Sequence, residues 1–243
     1  MSAAMPSDSL GESKSTNLYR IVPFERAVQL FTRRTLYFSS PRAWDDPYEV
    51  AVEHSHSNSM FAQCWSSKSM SDAMWRIYSP NALGIRIGTT RQRIHSELTK
   101  ALKAGQIGKF SIKDVRYAKS KVVQTNFRNL SKILEKTSQF EFAVAALTIK
   151  RDAFEHEQEV RVVVADDEWS SENNLLGREV QVDPVELVRS ILVDPRAPEE
   201  YLAAYKHYFE EVLGFKGNVA RSGLYATPEH FVVSSAIMQK KEP

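Results

Sequence analysis

The chain has 243 residues, of which 42% are hydrophobic and 26% are charged, and this is the balance of an ordinary globular protein. Its formal net charge of +2 is too small to indicate wholesale binding of nucleic acid. Cys64 is the only cysteine in the sequence, which excludes an intramolecular disulfide and a clustered thiolate metal site and favours a reducing, cytoplasmic setting.

The sequence predicts one domain between two short tails. Residues 1–17 are polar and small, without the basic start and apolar run of a signal peptide, so we expect a disordered tail there. Residues 18–235 contain neither a repeat nor an internal linker and are predicted to form a single domain, with residues 236–243 as a second tail. No segment has the length and apolarity of a transmembrane helix, so we expect no membrane partner.

Short strands and helices alternate irregularly along the first half of the domain. The periodicity of the apolar residues predicts strands over residues 18–22, 36–39, 60–66, 83–87 and 111–118. Helices are predicted over residues 24–33 and 72–78, and a third helix runs from a threonine cap at Thr89 or Thr90 to the region of Gly105.

The second half continues the irregular pattern. A long helix is predicted over residues 124–147, a polar connection over 166–177, extended chain over 178–182, a strand over 190–193 and a helix from Pro198 to Gly214. This order favours a single α+β domain in which helices flank a mixed, mostly antiparallel sheet, split or continuous.

The pattern of residues 155–164 predicts a strand with one apolar face and one charged face. Side chains alternate along a strand, so one face carries Gln158, Val160, Val162 and Val164 and the other carries Glu157, Glu159, Arg161 and Val163. The charged row is either a solvated face of an antiparallel strand or a line of fixed charge at the mouth of a cleft. In a cleft, such a row binds a polar ligand or stabilises developing positive charge.

Several common catalytic patterns are absent from the sequence. It contains neither a Gly-x-Ser-x-Gly elbow nor a glycine-rich phosphate loop. Cys64 lies in a predicted strand and is expected to be a buried, inert thiol. His54 and His56 are expected to be solvated loop residues, so no metal site is predicted.

The segment Asp45-Asp46-Pro47 has two interpretations. A carboxylate before a proline commonly closes a turn. Alternatively, Asp46 or Glu49 joins Glu157 and Glu159 around a divalent cation, as in a metal-dependent nuclease.

Aromatic residues with polar neighbours recur at predicted strand ends and turns. These pairs are Tyr19-Arg20, Tyr37-Phe38-Ser39, Trp65-Ser66 and Trp75-Arg76-x-Tyr78. Ring faces hold flat rings such as adenine or nicotinamide, and arginine holds diphosphate through paired hydrogen bonds. The alternative is that these aromatics are ordinary core residues with a satisfied polar tip.

Five segments, taken in order, resemble the bacterial "domain of unknown function 2971" family. They are Leu18-Tyr19-Arg20, Leu36-Tyr37-Phe38-Ser39-Ser40-Pro41, Trp44-Asp45-Asp46-Pro47-Tyr48-Glu49, Met74-Trp75-x-x-Tyr78 and Glu157-x-Glu159-x-Arg161. The chain departs from the family pattern where Trp44-Asp45 replaces Phe-Asn, where Ser79 replaces a small residue and where Val160 replaces Trp. This resemblance implies no reaction.

A weaker resemblance is to the ADP-ribosyltransferase superfamily, whose pattern is an Arg or His on the first strand, a Ser, Thr or Tyr on a middle strand and a Glu on a late strand. Arg20, Ser66 or Tyr78, and Glu159 occupy these places in order, and Glu157-x-Glu159 is similar to the Glu-x-Glu of some members. The resemblance implies an ADP-ribosyltransferase-like fold, NAD as a substrate, and a protein or nucleic-acid acceptor. A toxin or phage-defence effector would fit.

The same resemblance implies roles for individual residues. Glu159, with Glu157, would be catalytic, and Arg20 would hold the diphosphate or the adenosine ribose. The remaining cofactor-binding candidates are Tyr19, Tyr37, Ser39, Ser66, Trp75, Tyr78 and Arg161. Among them, Ser66 would brace the glutamate or the ribose, the rings of Tyr37, Trp75 or Tyr78 would stack on nicotinamide, and Arg161 would pair with Glu157 or contact the phosphates.

Three hypotheses therefore remain open from the sequence. The first is an NAD-using ADP-ribosyltransferase, the second is a metal-dependent nuclease, and the third is a non-catalytic binding or regulatory module. Convergence of Arg20, Ser66 and Glu159 on one pocket would favour the first.

Overall fold

The computed structural model describes residues 17–49, 51, 59–133, 138–166 and 176–228, with the backbone alone for residues 131–133. Within these ranges the chain forms eleven strands and seven α-helices. The strands are β1 (Asn17–Val22), β2 (Thr35–Ser39), β3 (Met60–Ser66), β4 (Ile85–Thr90), β5 (Lys109–Asp114), β6 (Arg116–Ala118), β7 (Ile149–Arg151), β8 (Glu159–Ala165), β9 (Gly177–Gln181), β10 (Ser190–Val193) and β11 (Asn218–Arg221). The helices are α1 (Phe24–Arg33), α2 (Asp72–Tyr78), α3 (Arg91–Lys103), α4 (Ser120–Ile133), α5 (Gln139–Leu147), α6 (Pro184–Leu187) and α7 (Glu199–His207).

Nine of these strands form one sheet in the order β11-β10-β4-β1-β3-β2-β9, with β8 paired to β3 and β5 paired to β8. Within this sheet only β10 and β11 run parallel, and the other pairs are antiparallel. Strands β6 and β7 form a separate parallel pair. The mixed, mostly antiparallel α+β architecture predicted from the sequence is confirmed.

Helices cover both faces of the large sheet. On one face, α1, α3 and α7 pack on apolar strand residues through side chains such as Leu30, Leu98 and Tyr205. On the other face, α5 covers β3 and β8 through Phe140, Ala143, Val144 and Leu147. All seven residues of β8 are buried as a result, which is the condition of a central strand enclosed on both faces.

Local sequence explains where several helices begin and end. Thr90 caps α3 by accepting a hydrogen bond from the N–H of Arg93, and Gly105 follows the helix at a φ of 68°, a conformation that glycine adopts readily. The helix predicted from Pro198 continues beyond α7 as a π-helix, Tyr208–Val212, before Gly214 at a φ of 66°.

Four predicted elements differ from the structure. The strand predicted over residues 83–87 is shifted along the chain and runs from Ile85 to Thr90 as β4. The single strand over 111–118 is two strands, β5 and β6, that belong to different sheets. The single helix over 124–147 is two helices, α4 and α5, and residues 134–137 between them lie outside the described part of the chain. The strand over 155–164 begins only at Glu159, because a 3-10 helix, Asp152–Glu157, precedes it and Gln158 is left-handed with a φ of 43°.

The predicted tails fall almost wholly outside the described residues, as do His54, His56 and most of the polar connection 166–177. The predicted first tail ends one residue late, since β1 begins at Asn17. None of the described helices combines the length and apolarity needed to span a bilayer.

Candidate functional site

The candidate site is a cleft at a gap in the large sheet. Strands β1 and β2 both approach the same edge of β3, and each pairs with it at a single position, Tyr19 with Ser66 and Ser39 with Ala62. Between these two positions the strands diverge, so the edge of β3 is not covered by a neighbouring strand. The sheet is therefore split here, and side chains from its two faces reach the same space.

Two connected chambers fill this gap. The larger has a volume of about 400 Å³ and lies between β1, α1 and β2. The smaller has a volume of about 240 Å³ and reaches the start of β8. Both chambers are lined by Arg20, Ile21, Ser39, Trp65 and Tyr78. They therefore form one continuous cleft with Arg20 at the junction.

Glu159 and Arg161 lie on the face of β8 that points toward the smaller chamber and α5. The strand register places Glu159 beside Ser66 and Arg161 beside Cys64. Their exposed fractions are 4% and 0%, so the interpretation of this row as a solvated face is wrong. The face is buried because α5 and the segment around Trp44 cover it, with the Arg161 guanidinium 4.5 Å from the Trp44 ring centre.

Five charged side chains form a compact network around Glu159. The Arg161 guanidinium donates to Glu159 at 2.7 Å and also pairs with Glu49. The Lys150 ammonium, from β7, lies 2.7 Å from Glu157, 3.2 Å from Glu159 and 3.3 Å from Glu49. Three carboxylates therefore face two cations, and the group carries one excess negative charge when all five are ionised.

The network fixes the ionisation of its members. Burial alone would raise the pKa of Glu159, but the charges of Arg161 and Lys150 outweigh it and lower that pKa from 4.5 to about 2. Burial would lower the pKa of Lys150 and of Arg161, yet the neighbouring carboxylates raise both. Glu159 is consequently a carboxylate, and Lys150 an ammonium, throughout the neutral range.

Arg20 differs from the other cations of the cleft because it lacks an acidic partner. Its guanidinium is partly buried at the junction of the chambers, and no carboxylate in the described ranges pairs with it. Burial lowers the pKa of Arg20, which means that the fold holds this charge at an energetic cost. An anionic ligand at the junction would offset that cost.

Seven of the ten candidate residues line the smaller chamber: Glu157, Glu159, Arg20, Tyr19, Ser39, Ser66 and Tyr78. Tyr37 instead lines the larger chamber, with a 43% exposed side chain. Tyr78, at the end of α2, is 42% exposed and donates from its hydroxyl to Glu157 at 3.3 Å. Both rings can therefore contact a ligand.

The structure corrects the expected roles of three residues. Trp75 is only 1% exposed and is a core residue of α2, so it cannot stack on a ligand. Arg161 pairs with Glu159 and Glu49 rather than with Glu157, and its complete burial keeps it from phosphates. The Ser66 hydroxyl donates to the backbone carbonyl of Glu157 at 2.6 Å, so it braces the backbone and not a carboxylate.

Asp46 follows its structural interpretation, whereas Cys64 is only half-buried and not the buried core thiol expected. Asp46 accepts the N–H of Tyr48 at 3.0 Å, closing a turn, and pairs with Arg151 at 3.0 Å. Burial and the neighbouring charge of Glu159 raise the pKa of the Cys64 thiol, and Cys64 lines the smaller chamber. Within the described residues, no group of three or more His, Cys, Asp or Glu side chains is arranged to hold a metal ion.

Two further residues of the site, Lys150 and Tyr117, were not predicted from the sequence. Lys150 follows an apolar stretch and is brought to the site only by the pairing of β7 with β6. The Tyr117 hydroxyl accepts the backbone N–H of Glu159 at 2.7 Å, so β6 fixes the point at which β8 begins. Lys150 could have been found as a lysine that follows directly on a stretch of apolar residues. No local sequence pattern marks Tyr117.

Two of three comparisons with known proteins give a match. A search of curated proteins found no match. Among solved structures, DarT from Thermus sp. 2.9 in complex with NAD+ is 10% identical with a TM-score of 0.41, over 87% of this chain and 98% of that one. DarT of the same organism in complex with ADP-ribosylated ssDNA is 10% identical with a TM-score of 0.41, over 86% of this chain and 94% of that one.

The third comparison, with models of protein families, matches one region of the chain. The matched region contains the Met74-Trp75-x-x-Tyr78 and Glu157-x-Glu159-x-Arg161 segments, whereas the three motifs between Leu18 and Glu49 precede it. Residues 74–162 match the family described as "Protein of unknown function (DUF2971)", and this match confirms the family resemblance predicted from the sequence.

Proposed function

We propose that the protein cleaves the bond between nicotinamide and ribose in NAD and transfers the ADP-ribose group. The observation that carries this proposal is the distribution of charge along the cleft. One end holds Glu159, a carboxylate at neutral pH, and the junction holds Arg20, a guanidinium with no acidic partner in the described chain. A dinucleotide offers a diphosphate for the arginine and a reacting ribose for the glutamate.

The shape of the cleft suits a dinucleotide bound across the gap in the sheet. The adenosine end would occupy the larger chamber, whose volume of about 400 Å³ lies within the usual range for ligand pockets and whose walls include Leu30, Leu36 and Tyr37. The diphosphate would lie at Arg20. The nicotinamide and its ribose would then occupy the smaller chamber, beside Tyr78 and Glu159.

The proposed chemistry uses these residues, NAD, an acceptor and water. When the bond from the ribose carbon to nicotinamide breaks, nicotinamide leaves as a neutral molecule with the electron pair, and the ribose becomes an oxocarbenium-like cation. A nucleophilic oxygen or nitrogen of the acceptor then bonds to the same carbon and loses its proton to water. The Glu159 carboxylate, within a group of excess negative charge, stabilises the cation electrostatically.

The nuclease hypothesis receives less support from the same geometry. A metal-dependent nuclease commonly has a lysine beside its carboxylates, and Lys150 from β7 lies in such a position. Together with Arg161, this lysine already contacts both carboxylate oxygens of Glu159 and one oxygen of Glu49, which a divalent cation would need as ligands. The non-catalytic hypothesis predicts binding of a nucleotide without turnover, which the following experiment separates from the proposal.

Nicotinamide release from NAD by the purified protein tests the proposal. We expect Glu159→Gln to lower the rate by at least about 100-fold, because the neutral amide cannot stabilise the cation. Glutamine keeps the shape of the side chain, and a thermal shift with NAD would show that the variant still folds and binds. Glu200→Gln, on the exposed surface of α7, is the matched control and should release nicotinamide at the native rate.

Two outcomes would contradict the proposal. If the native protein binds NAD but releases no nicotinamide under any condition tested, the site is a binding module. If folded Glu159→Gln releases nicotinamide at the native rate, the glutamate has no role in the reaction.

A further inference from the structure

The walls of the larger chamber carry a net positive charge. They include three arginines, of which Arg20 also lines the smaller chamber, whereas Arg26 and Arg33 of α1 line the larger chamber only. Among the described residues of these walls, Glu179 of β9 is the only acid. Two guanidinium groups therefore face the part of the cleft that lies beyond the junction.

Protein groups compensate these two charges poorly. The Arg26 guanidinium donates to the neutral side chain of Gln29 at 3.0 Å, and no carboxylate within the described residues pairs with it. Arg33 pairs with Glu179 at 3.3 Å, but both side chains are largely exposed, so this ion pair contributes little. Arg26 is thus a cation of the chamber wall without an acidic partner in the described chain.

Arg26 also lies close enough to Arg20 for the two charges to repel each other. Burial lowers the pKa of Arg20, and the positive charge of Arg26 lowers it further. Like charges on the walls of one cavity oppose folding when no acid lies between them. An anionic ligand that contacts both guanidinium groups would remove this cost.

The connectivity of a dinucleotide determines which of its groups reaches Arg26. The Tyr37 ring lies against the backbone of Gly177, since a Cβ atom on Gly177 would lie 2.2 Å from the ring, and the Tyr37 side chain is 43% exposed. An adenine stacked on the open side of this ring, with the diphosphate at Arg20, would place the adenosine ribose between them. The α1 wall of the chamber, with Arg26 and Gln29, borders that position.

The charge beside an adenosine ribose selects between the two common nicotinamide dinucleotides. In dinucleotide-binding proteins an acid accepts the ribose 2′-hydroxyl of NAD, whereas an arginine accommodates the 2′-phosphate of NADP. On the described walls of the larger chamber, the acid Glu179 is already paired with Arg33, and Arg26 has only a neutral partner. This distribution of charge suits a 2′-phosphate.

We infer that NADP is a better substrate than NAD for the proposed reaction, with Arg26 contacting the 2′-phosphate and Arg33 adding positive charge at the rim of the chamber. The inference rests on the proposed function, since it concerns which dinucleotide the same site prefers. Both dinucleotides present the same nicotinamide and ribose to Glu159. The additional phosphate should therefore lower KM and leave kcat unchanged.

Isothermal titration with ADP-ribose and with its 2′-phosphorylated form tests the site without turnover, because neither probe has a nicotinamide to lose. We expect the native protein to bind the phosphorylated probe at least about tenfold more tightly, since a charge-assisted contact is added. Arg26→Gln should remove most of this preference. Glu179→Gln should increase it, because Arg33 then loses its acidic partner.

The matched control is Arg34→Gln. Arg34 follows α1 directly and is exposed like Arg26, but it pairs with Asp183 and does not line the larger chamber. This variant should keep the native preference for the phosphorylated probe. Equal binding of the two probes by the native protein, tighter binding of unphosphorylated ADP-ribose, or a native preference retained by Arg26→Gln would each overturn the inference.

Nicotinamide release from NAD and from NADP separates this inference from the proposed function. A tighter complex with the phosphorylated probe, without nicotinamide release from either dinucleotide, would sink the proposed reaction and leave the 2′-phosphate site standing. Nicotinamide release from both dinucleotides with the same KM, together with equal binding of the two probes, would do the reverse.

Discussion

At the scale of single residues, the site is governed by which charges have partners. Glu159, Arg161 and Lys150, together with Glu49 and Glu157, neutralise one another to within one negative charge, and these contacts set the pKa values of Glu159, Arg161 and Lys150. Arg20 has no such partner in the described part of the chain. The paired residues therefore stabilise the fold as well as carrying charge. The buried charge of Arg20 lowers the stability of the fold, and binding of an anionic ligand is the simplest explanation for its presence.

Arg20→Gln separates these two roles. We expect the variant to bind NAD at least about tenfold more weakly, because it loses a charge-assisted contact to the diphosphate. The same variant should unfold at an unchanged or higher urea concentration, since it removes a partly buried charge that has no partner among the described residues. Isothermal titration with NAD and urea unfolding measure the two effects.

Arg34→Gln is the comparison for this prediction. Arg34 is exposed and pairs with Asp183 at 2.8 Å on the surface, so its loss should change neither NAD binding nor stability by more than about 1 kcal/mol. A clear loss of stability in Arg20→Gln with NAD affinity unchanged would show that Arg20 is a structural residue.

Lys150→Met tests the charge balance of the network. Removing the ammonium leaves Glu49, Glu157 and Glu159 facing Arg161 alone, and we expect a loss of about 3–5 kcal/mol of unfolding free energy. Adding Glu157→Gln removes one of the uncompensated charges. The double variant should therefore be more stable than the sum of the single effects predicts, and additive effects in urea unfolding would contradict the coupling.

At the scale of elements, the parts that the sequence predicted well are those decided by local periodicity and capping. Helices α1 and α2 and strands β3 and β10 were predicted with the observed bounds, because the spacing of their apolar residues marks them locally. The predicted start of β8 was wrong. A 3-10 helix and the left-handed backbone of Gln158 interrupt an alternation of apolar and charged residues that is continuous in the sequence. No periodicity reports such a backbone change.

Only some of the residues that form the site could be predicted from the sequence. Glu159, Arg20 and Ser66 follow from motif order, and the structure brings them to one chamber. Lys150 and Tyr117 arrive through the parallel pairing of β7 with β6, in which these two residues are register partners although they are distant along the chain. Contacts of this kind depend on topology, which the pattern of one sequence does not determine.

Tyr117→Phe tests the role of β6 in positioning β8. Without the hydroxyl, the backbone N–H of Glu159 loses its acceptor at a buried position, and we expect a loss of about 1–3 kcal/mol in urea unfolding. Nicotinamide release should fall as the carboxylate loses its fixed position. Tyr201→Phe, which removes an exposed hydroxyl on α7, should be neutral in both measurements, and equal behaviour of the two variants would refute the positioning role.

At the scale of the whole molecule, the charged network joins parts of the chain that are distant in sequence. Glu49 follows the first helix and second strand, Lys150 lies on β7, and Glu159 and Arg161 begin the central strand β8. Their contacts tie the segment around Trp44, the small β6–β7 sheet and the large sheet together. The ionisation of one carboxylate therefore contributes to the stability of the complete fold.

Acid unfolding is the global measurement of that link. The pKa of Glu159 is about 2 in the folded protein, against 4.5 as its ordinary value. A carboxylate whose pKa is lowered by folding stabilises the protein above its unfolded pKa, and this stabilisation is lost as the pH falls through the folded pKa. We therefore expect the contribution of Glu159, on the order of 3 kcal/mol, to be complete above about pH 5 and to disappear toward pH 2.

Because the amide introduced by Glu159→Gln has no ionisation to lose, the difference in urea-unfolding free energy between native protein and variant should shrink steadily across this window. The exposed Glu200→Gln control should show no such trend, and a native-to-Glu159→Gln difference that stays constant from about pH 6 to pH 3 would mean that the Glu159 carboxylate does not carry the coupling.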